Sequence, residues 1–316
     1  MQGGHIWAHQ FAVPLFFFLS GVAENFNQRS LAESVQNTAV SLLLPWVFFS
    51  LLCTLFLFIF EGSVPWRECL SVFLQGNIRN QSQFAALWFF TGLFSVKIIF
   101  SIIKKLKVKW LIFAVCLMLW WGAESLLPVS AVREPRWWYN IDSACYYILY
   151  FCLGWISFGN LRLLLESYDK GIQLLKAVLF LVCGMYSIQF FWERDMLLSV
   201  WTGGGIFAGI RGVVGSLISV LFIVILSSYL SVCEGLRAVG RNSVYLCGSD
   251  YIVRNGLMLL PGIFGVEIVL TSPVQAWMLA VLFCAVVHKC LVPWEKILLR
   301  RIQMAFVKKE ERLSSP

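Results

Sequence analysis

The stretch "FAVPLFFFLSG", Phe11–Gly21, sets the class of this protein because it carries no charged residue and lies within a longer apolar run. Runs of the same kind recur along the chain, so that hydrophobic residues make up 59% of it and charged residues 13%, with a mean hydropathy of +0.77. Soluble domains are about 45–50% apolar and about 25% charged. The composition therefore predicts an integral membrane protein whose principal partner is the lipid bilayer.

The lengths of the apolar runs predict an all-α, polytopic bundle of transmembrane helices. Since a spanning helix needs roughly 20 mostly apolar residues, nine spans are expected. These lie at about 6–23, 39–60, 84–103, 109–128, 143–158, 172–192, 206–230, 243–264 and 274–293. The fifth is short. Residues 1–293 are thus predicted to form a membrane-embedded domain, and residues 294–316 a basic cytoplasmic tail that begins as a short amphipathic helix.

The loops between the predicted spans differ in their content of Lys and Arg, which are enriched on the cytoplasmic side of membrane proteins. Of the 25 such residues, 15 fall in segments on the side of the C-terminus and 5 on the opposite side. This predicts a C-terminus inside the cell and an N-terminus outside. Because "MQGGH" has no signal peptide to carry it outward, we expect one further helix before Met1. The alternative is a short N-terminal tail that crosses the membrane unaided.

Two other classes of function find no support in the sequence. Basic residues lie between apolar runs rather than along a stripe with interleaved aromatic residues, so no nucleic-acid partner is expected. The ten cysteines include no Cys-x-x-Cys pair and the histidines number three, so neither a disulfide framework nor a metal site is expected.

The eighth predicted span, in "NSVYLCGSDYIVRNGLMLL", holds charged residues at depths where an unpaired charge costs at least a few kcal/mol. Asp250 and Arg254 are four residues apart, so they share a helix face and are expected to pair. Asn242 and Ser249 add polar groups to the same helix, and Arg211 lies about six residues inside the seventh span. Two interpretations remain open: a neutralised pair that holds the bundle together, or a polar cavity for a polar substrate or an anionic donor.

Five blocks in order resemble the integral-membrane acyltransferase 3 family, in particular sugar O-acetyltransferases similar to fucose 4-O-acetylase. "FAVPLFFFLSG" is similar to its F-H-x-P-L-F-F-F-x-S-G signature. The others are "LLLPWVFFSLL" (42–52), "LWFFTGLF" (87–94), "NIDSACYYILYFCLGW" (140–155) and "VGRNSVYLCGSD" (239–250). The resemblance implies transfer of an acyl group, expected to be acetyl, from acyl-CoA to a hydroxyl of an envelope carbohydrate. It also implies a bacterial cytoplasmic (inner) membrane and no bound cofactor, with acetyl-CoA as the donor substrate.

The resemblance also assigns expected roles to residues. It places the catalytic base, a histidine, in a helix that would precede Met1, and the histidine of F-H-x-P is Ala12 here. The basic residue before L-L-x-P is Val40, and a late family histidine aligns with Ser249. Arg211, Arg254 and Asn242 are the expected donors to the oxyanion.

Two expectations about this chain follow from those assignments. Lys104 to Lys109 form a basic patch that is expected to hold the phosphates of CoA. His5 and His9 are too close to the signature to replace the base, so these 316 residues are expected to be inactive alone. A degenerate homologue without activity and a membrane transporter remain alternatives.

Overall fold

A computed structural model of the protein describes residues 2–27, 29–62, 66–76, 86–127, 137–192, 206–263, 273–299 and 301. Every regular element in these ranges is a helix. The α-helices are α1 (Gln2–Glu24), α2 (Leu31–Thr38), α3 (Leu44–Glu61), α4 (Trp66–Gln75), α5 (Trp88–Ile103), α6 (Lys109–Ser125), α7 (Ile141–Glu166), α8 (Lys170–Trp192), α9 (Ile206–Tyr229), α10 (Glu234–Arg241), α11 (Ser243–Ile263) and α12 (Pro273–Val286).

Five helical stretches of the described residues are long and apolar enough to cross a membrane, which agrees with an integral membrane protein. They are Leu31–Phe60, Trp138–Glu166, Lys170–Ser187, Gly209–Val232 and Met278–Leu299. Two other predicted spans correspond to shorter helices, since α5 has 16 residues and α6 has 17. At 1.5 Å per residue, α5 is about 24 Å long against a hydrocarbon core of about 30 Å.

The helix that corresponds to the fifth predicted span is longer than the sequence analysis expected. The run of apolar residues becomes weaker after Phe158, which led to a short span at 143–158. In the structure α7 continues for 26 residues, to Glu166. Its last two turns include Asn160, Arg162 and Glu166, and Arg162 Nε donates a hydrogen bond to Glu166 Oε2 at 2.8 Å. Such an i,i+4 pair supports a helix where apolar packing ends.

The last helix does not end at Pro293, where the sequence analysis placed the start of a separate tail helix. After α12 the backbone forms a π-helical turn, Val287–Leu291, and then continues as α-helix so that Met278–Leu299 is one stretch. Proline has no N–H to donate within a helix, and a π-helical turn directly before it alters the local hydrogen-bond pattern. Pro293 therefore lies inside the helix, and residues 294–299 belong to it.

The described helices fall into two compact units. The first unit comprises Met1–Ser34, Val96–Pro135 and Ile141–Cys233, and its central pair is α1 and α7. Phe17 stacks on Tyr147 with ring centroids 4.7 Å apart, and Asn25 Nδ2 donates to the carbonyl oxygen of Trp155 at 3.1 Å. Both pairs are 130 residues apart in sequence, so α1 and α7 run in the same direction. The predicted alternation of spans requires this relative direction.

Two glycines allow α1 and α7 to approach each other closely. A Cβ atom added to Gly21 would lie 1.9 Å from the carbonyl oxygen of Phe151, and one added to Gly154 would lie 2.0 Å from that of Phe18. Membrane helices associate through such close backbone packing because lipid tails provide no hydrophobic driving force between them. Gly21, the last residue of the opening stretch, is therefore required by the interface.

The second unit comprises Val35–Ser95, Arg136–Asn140 and Glu234–Pro316. Here α3 packs along α11, with Phe49 against Tyr245 and Phe56 against Tyr251. The residue numbers rise together on both helices, so α3 and α11 are parallel, as two spans that both lead outward should be. A buried cluster of Val253, Val287 and Val292 joins α11 to the last helix.

A buried hydrogen-bond network holds the short 3₁₀ turn Trp138–Asn140 within the second unit. Asn140 is fully buried, and its Nδ2 donates to the carbonyl oxygen of Gly76 at 2.9 Å and to Thr91 Oγ1 at 2.7 Å. Ser95 Oγ donates to the carbonyl oxygen of Tyr139 at 2.8 Å. Tyr139 and Asn140 both have positive φ, 51° and 54°. Asparagine tolerates this conformation better than most residues, and its amide provides the donors.

We expect Asn140→Asp to destabilise the protein by several kcal/mol, because it replaces two buried donors by a carboxylate that has none. Asn140→Gly is the matched control, since glycine accepts the positive φ and loses only the hydrogen bonds, at a cost of about 1–2 kcal/mol. Thermal unfolding of purified protein in detergent measures both. An aspartate variant at least as stable as the glycine variant would contradict this role for Asn140.

Candidate functional site

Four of the five residues that the sequence singled out lie in the second unit, at or on α11. The short helix α10 ends at Arg241, Asn242 forms the turn, and Ser249, Asp250 and Arg254 follow on α11. The last helix packs beside them through the valine cluster described above. The described polar contacts at this site therefore join α11 and its N-terminal turn to Met278–Leu299.

The most buried polar contact at the site is between Ser249 and Glu295. Ser249 is fully buried, Glu295 is 5% exposed, and Ser249 Oγ donates to Glu295 Oε1 at 2.6 Å. A hydroxyl that donates to a carboxylate makes a short, charge-assisted hydrogen bond. This bond fixes one oxygen of the Glu295 carboxylate against α11.

The second oxygen of Glu295, Oε2, is buried and has no hydrogen-bond partner among the described residues. A buried carboxylate oxygen without a donor costs several kcal/mol, and such an atom in a folded protein calls for an explanation. An acceptor of this kind is satisfied when a ligand brings a hydroxyl group to it. Glu295 Oε2 is thus a candidate proton acceptor.

A second polar contact joins Asn242 to His288, which lies in the π-helical turn. Asn242 Nδ2 lies 3.0 Å from His288 Nδ1 and also donates to the carbonyl oxygen of Ala238 at 2.9 Å. The amide N–H can donate to Nδ1 only when that nitrogen carries no proton, so this contact favours the tautomer with the ring proton on Nε2.

The surroundings of Asn242 bear on its predicted role as a donor to an oxyanion, which stays a prediction. Its amide nitrogen Nδ2 lies within hydrogen-bond distance of the carbonyl oxygen of Ala238 and of His288 Nδ1. The other polar atom of the side chain, Oδ1, is an acceptor, and it is buried without a partner among the described residues.

The predicted pair of Asp250 and Arg254 is present on α11. Asp250 Oδ2 and Arg254 Nη2 are 3.9 Å apart, and the two side chains are 39% and 52% exposed. At this distance and exposure the pair contributes little to stability. The guanidinium of Arg254 has five N–H donors, so the weak pair leaves it able to bind an additional acceptor.

Arg211 lies in the first unit, on α9, with its side chain exposed. Among the residues that the structure describes, no group of three His, Cys, Asp or Glu side chains is arranged to hold a metal ion.

Sequence reasoning missed Glu295 and His288. The sequence places Glu295 in the cytoplasmic tail because Pro293 marks the predicted end of the last span. A signal for its burial was present, since Val292, Glu295 and Leu299 follow the i, i+3, i+7 spacing of one helix face, and all three are buried. His288 had no comparable signal, because its contact with Asn242 depends on tertiary packing. The side chains of His5 and His9 lie outside the described part of the chain.

Comparisons of the chain with models of protein families, with curated proteins and with solved structures find no match. The resemblance to the acyltransferase 3 family therefore remains an expectation from the sequence blocks alone. The described residues by themselves provide three groups. The buried carboxylate of Glu295 has an open acceptor oxygen, Ser249 on α11 holds its other oxygen, and the half-exposed Arg254 lies on the same helix as Ser249.

Proposed function

We propose that the protein is a membrane-bound O-acyltransferase, of the class that transfers groups other than amino-acyl groups, and that Glu295 is its general base. The acyl group, expected to be acetyl, passes from acyl-CoA to a hydroxyl of an envelope carbohydrate. One observation carries the proposal: the Glu295 carboxylate, within the apolar helical stretch Met278–Leu299, has one oxygen without a donor among the described residues while Ser249 holds the other. Such an oxygen is suited to accept the proton of a hydroxyl group.

The proposed reaction assigns one step to each group. Glu295 Oε2 takes the proton of the acceptor hydroxyl, and the oxygen of that hydroxyl attacks the carbonyl carbon of the thioester. The tetrahedral intermediate then collapses as the carbon–sulfur bond breaks, and the proton passes from Glu295 to the leaving thiolate of CoA. Arg254 is the proposed donor to the oxyanion, because a guanidinium stabilises negative charge that develops on the carbonyl oxygen.

The presence of Glu295 in the chain argues against the expectation that this chain is inactive alone. That expectation rests on the lack of a base in the sequence, since His5 and His9 lie too close to the signature to replace the missing histidine. A buried carboxylate with a free oxygen is a further candidate for the base. The proposal therefore assigns activity to residues that the chain contains.

Deletion of the gene is the direct test of this function. If the proposal is right, the envelope glycan of the deletion strain loses acetyl groups, and the intact gene restores them. A strain with unchanged glycan acetylation and altered uptake of a solute would instead indicate a transporter. Unchanged acetylation and unchanged uptake would indicate a degenerate homologue.

We propose that nine spans place the C-terminus inside a bacterial cytoplasmic membrane. The support is the distribution of Lys and Arg together with the parallel pairs α1–α7 and α3–α11, which alternating spans require. We expect a green fluorescent protein fused after Pro316 to fluoresce, and an alkaline phosphatase at the same position to be inactive, because each folds on one side only. An active phosphatase and a dark fluorescent fusion would contradict the topology.

A further inference from the structure

A basic pocket lies in the first unit at the C-terminal ends of α1 and α5, where α5 leads through a 3₁₀ turn into α6. It has a volume of about 310 Å³. The charged and amide residues that line it are Glu24, Asn27, Arg29, Lys104, Lys105 and Lys107. Lys109, the last member of the predicted phosphate patch, lies elsewhere, 6.0 Å from the centre of the Trp155 ring.

One wall of the basic pocket is built around Glu24, which is 6% exposed. Lys104 Nζ lies 3.4 Å from Glu24 Oε1 and 3.4 Å from the carbonyl oxygen of Asn27. Asn27 Nδ2 donates to the same Oε1 at 3.0 Å and to Ser34 Oγ at 3.2 Å. These contacts fix Lys104 against α1 and use its charge to balance that of Glu24.

The other three cations of the pocket, Arg29, Lys105 and Lys107, have no such balance. Among the described residues, none of the three is within ion-pair distance of a carboxylate, and Glu24 is the one acidic residue that lines the pocket. Lys107 has a positive φ of 61°, and its N–H donates to the carbonyl oxygen of Lys104. The chain therefore turns sharply here, and Lys105 and Lys107 line the same cavity. Three positive charges in excess around one cavity attract an anion.

We propose that the basic pocket binds a phosphate group. A phosphate ester carries up to two negative charges and three acceptor oxygens, which match one guanidinium and two ammonium groups better than a single carboxylate does. Ser101 lines the same cavity, and its side chain carries a further donor. Two sources present this chemistry: the phosphates of a soluble nucleotide such as the donor CoA, in which case the ligand rests on the proposed function, and the headgroup of an anionic phospholipid.

Binding of phosphate esters by the full chain is the test, with the protein in nanodiscs of a zwitterionic lipid. The probe is adenosine 3′,5′-bisphosphate, titrated by calorimetry. The variant combines Arg29→Gln, Lys105→Gln and Lys107→Gln. The control removes the same charge from exposed positions outside the pocket, Arg67→Gln, Lys170→Gln and Arg237→Gln. We expect at least about 30-fold weaker binding for the pocket variant and no change for the control, since the pocket variant loses three charged hydrogen-bond donors to the phosphate.

A second arm of the experiment identifies the source of the phosphate group. Protein purified from nanodiscs that contain phosphatidylglycerol is analysed for the amount of anionic lipid that it retains. Protein from the zwitterionic nanodiscs gives the baseline. Loss of retained lipid in the pocket variant alone assigns the site to a headgroup, and loss of nucleotide binding alone assigns it to a soluble ligand. Equal behaviour of pocket and control variants in both arms would overturn the proposal. No acyl transfer takes place in either arm, so intact binding without acetylation would count against the proposed function and not against the pocket.

Discussion

Replacement of Gly154 by alanine is expected to destabilise the protein by about 3 kcal/mol or more. The added methyl group would lie 2.0 Å from the carbonyl oxygen of Phe18, whereas ordinary contacts of a Cβ atom begin at 3.4 Å. Neighbouring backbone yields much less readily than a flexible side chain, so α1 and α7 would have to separate by more than about 1 Å, with loss of their packing. Gly21→Ala should have a similar effect, because its Cβ would lie 1.9 Å from the carbonyl oxygen of Phe151.

The same helix provides the control for this prediction. Gly159 is also on α7, and a Cβ atom there would meet nothing within 4 Å. Gly159→Ala should therefore be neutral or stabilise the helix by up to about 1 kcal/mol. The amount of monodisperse protein that remains after heating in detergent, followed by size-exclusion chromatography, gives an apparent melting temperature for each variant. If Gly154→Ala and Gly159→Ala melted together, the close approach of α1 and α7 would not be a determinant of stability.

Glu295→Gln is expected to lower acetylation by about 10²–10⁴-fold, the range typical for loss of a general base. The protein itself should keep its stability or gain some. Glutamine retains an oxygen that can accept from Ser249, and the substitution removes a charge that is buried at a cost. Acetyl transfer from labelled acetyl-CoA to envelope glycan in membranes gives the activity, and the melting temperature in detergent gives the stability.

Asp250→Asn is the matched comparison for that experiment. It removes the charge of another carboxylate on the partner helix α11, from a half-exposed pair. We expect at most a tenfold loss of activity, since the contribution of such a pair to stability is about 1 kcal/mol or less. A large loss with Asp250→Asn and normal activity with Glu295→Gln would assign the base to Asp250. The loss of activity in Ser249→Ala should fall between those of the two variants, because this substitution leaves Glu295 in place but removes its hydrogen-bond donor.

Much of the fold could be predicted because it depends on the one-dimensional distribution of apolar residues. A long apolar run in lipid must be helical, since only a helix satisfies all its backbone groups within one segment. The helices α1, α3, α7, α8, α9, α11 and α12 accordingly lie where the apolar runs predict them, and the pairing of Asp250 with Arg254 followed from their spacing alone. The ends of helices were less well predicted. Pro293 and the polar residues Asn160 and Arg162 near the end of α7 are weak local signals that packing overrode.

The sequence by itself determined that this is a helical protein of the membrane, because neither its composition nor its charge pattern suits any other environment. Only the tertiary structure decided which residues meet. Glu295 became a candidate base when a π-helical turn carried the last helix past Pro293 and against Ser249. Arg29 joined Lys105 and Lys107 in one pocket although more than 70 residues separate them in the chain. Gly21, which closes the opening stretch "FAVPLFFFLSG", is the point where α1 and α7 touch. The sequence could not predict this contact with a residue 130 positions away, because it depends on the shape of both helices and not on the spacing within either.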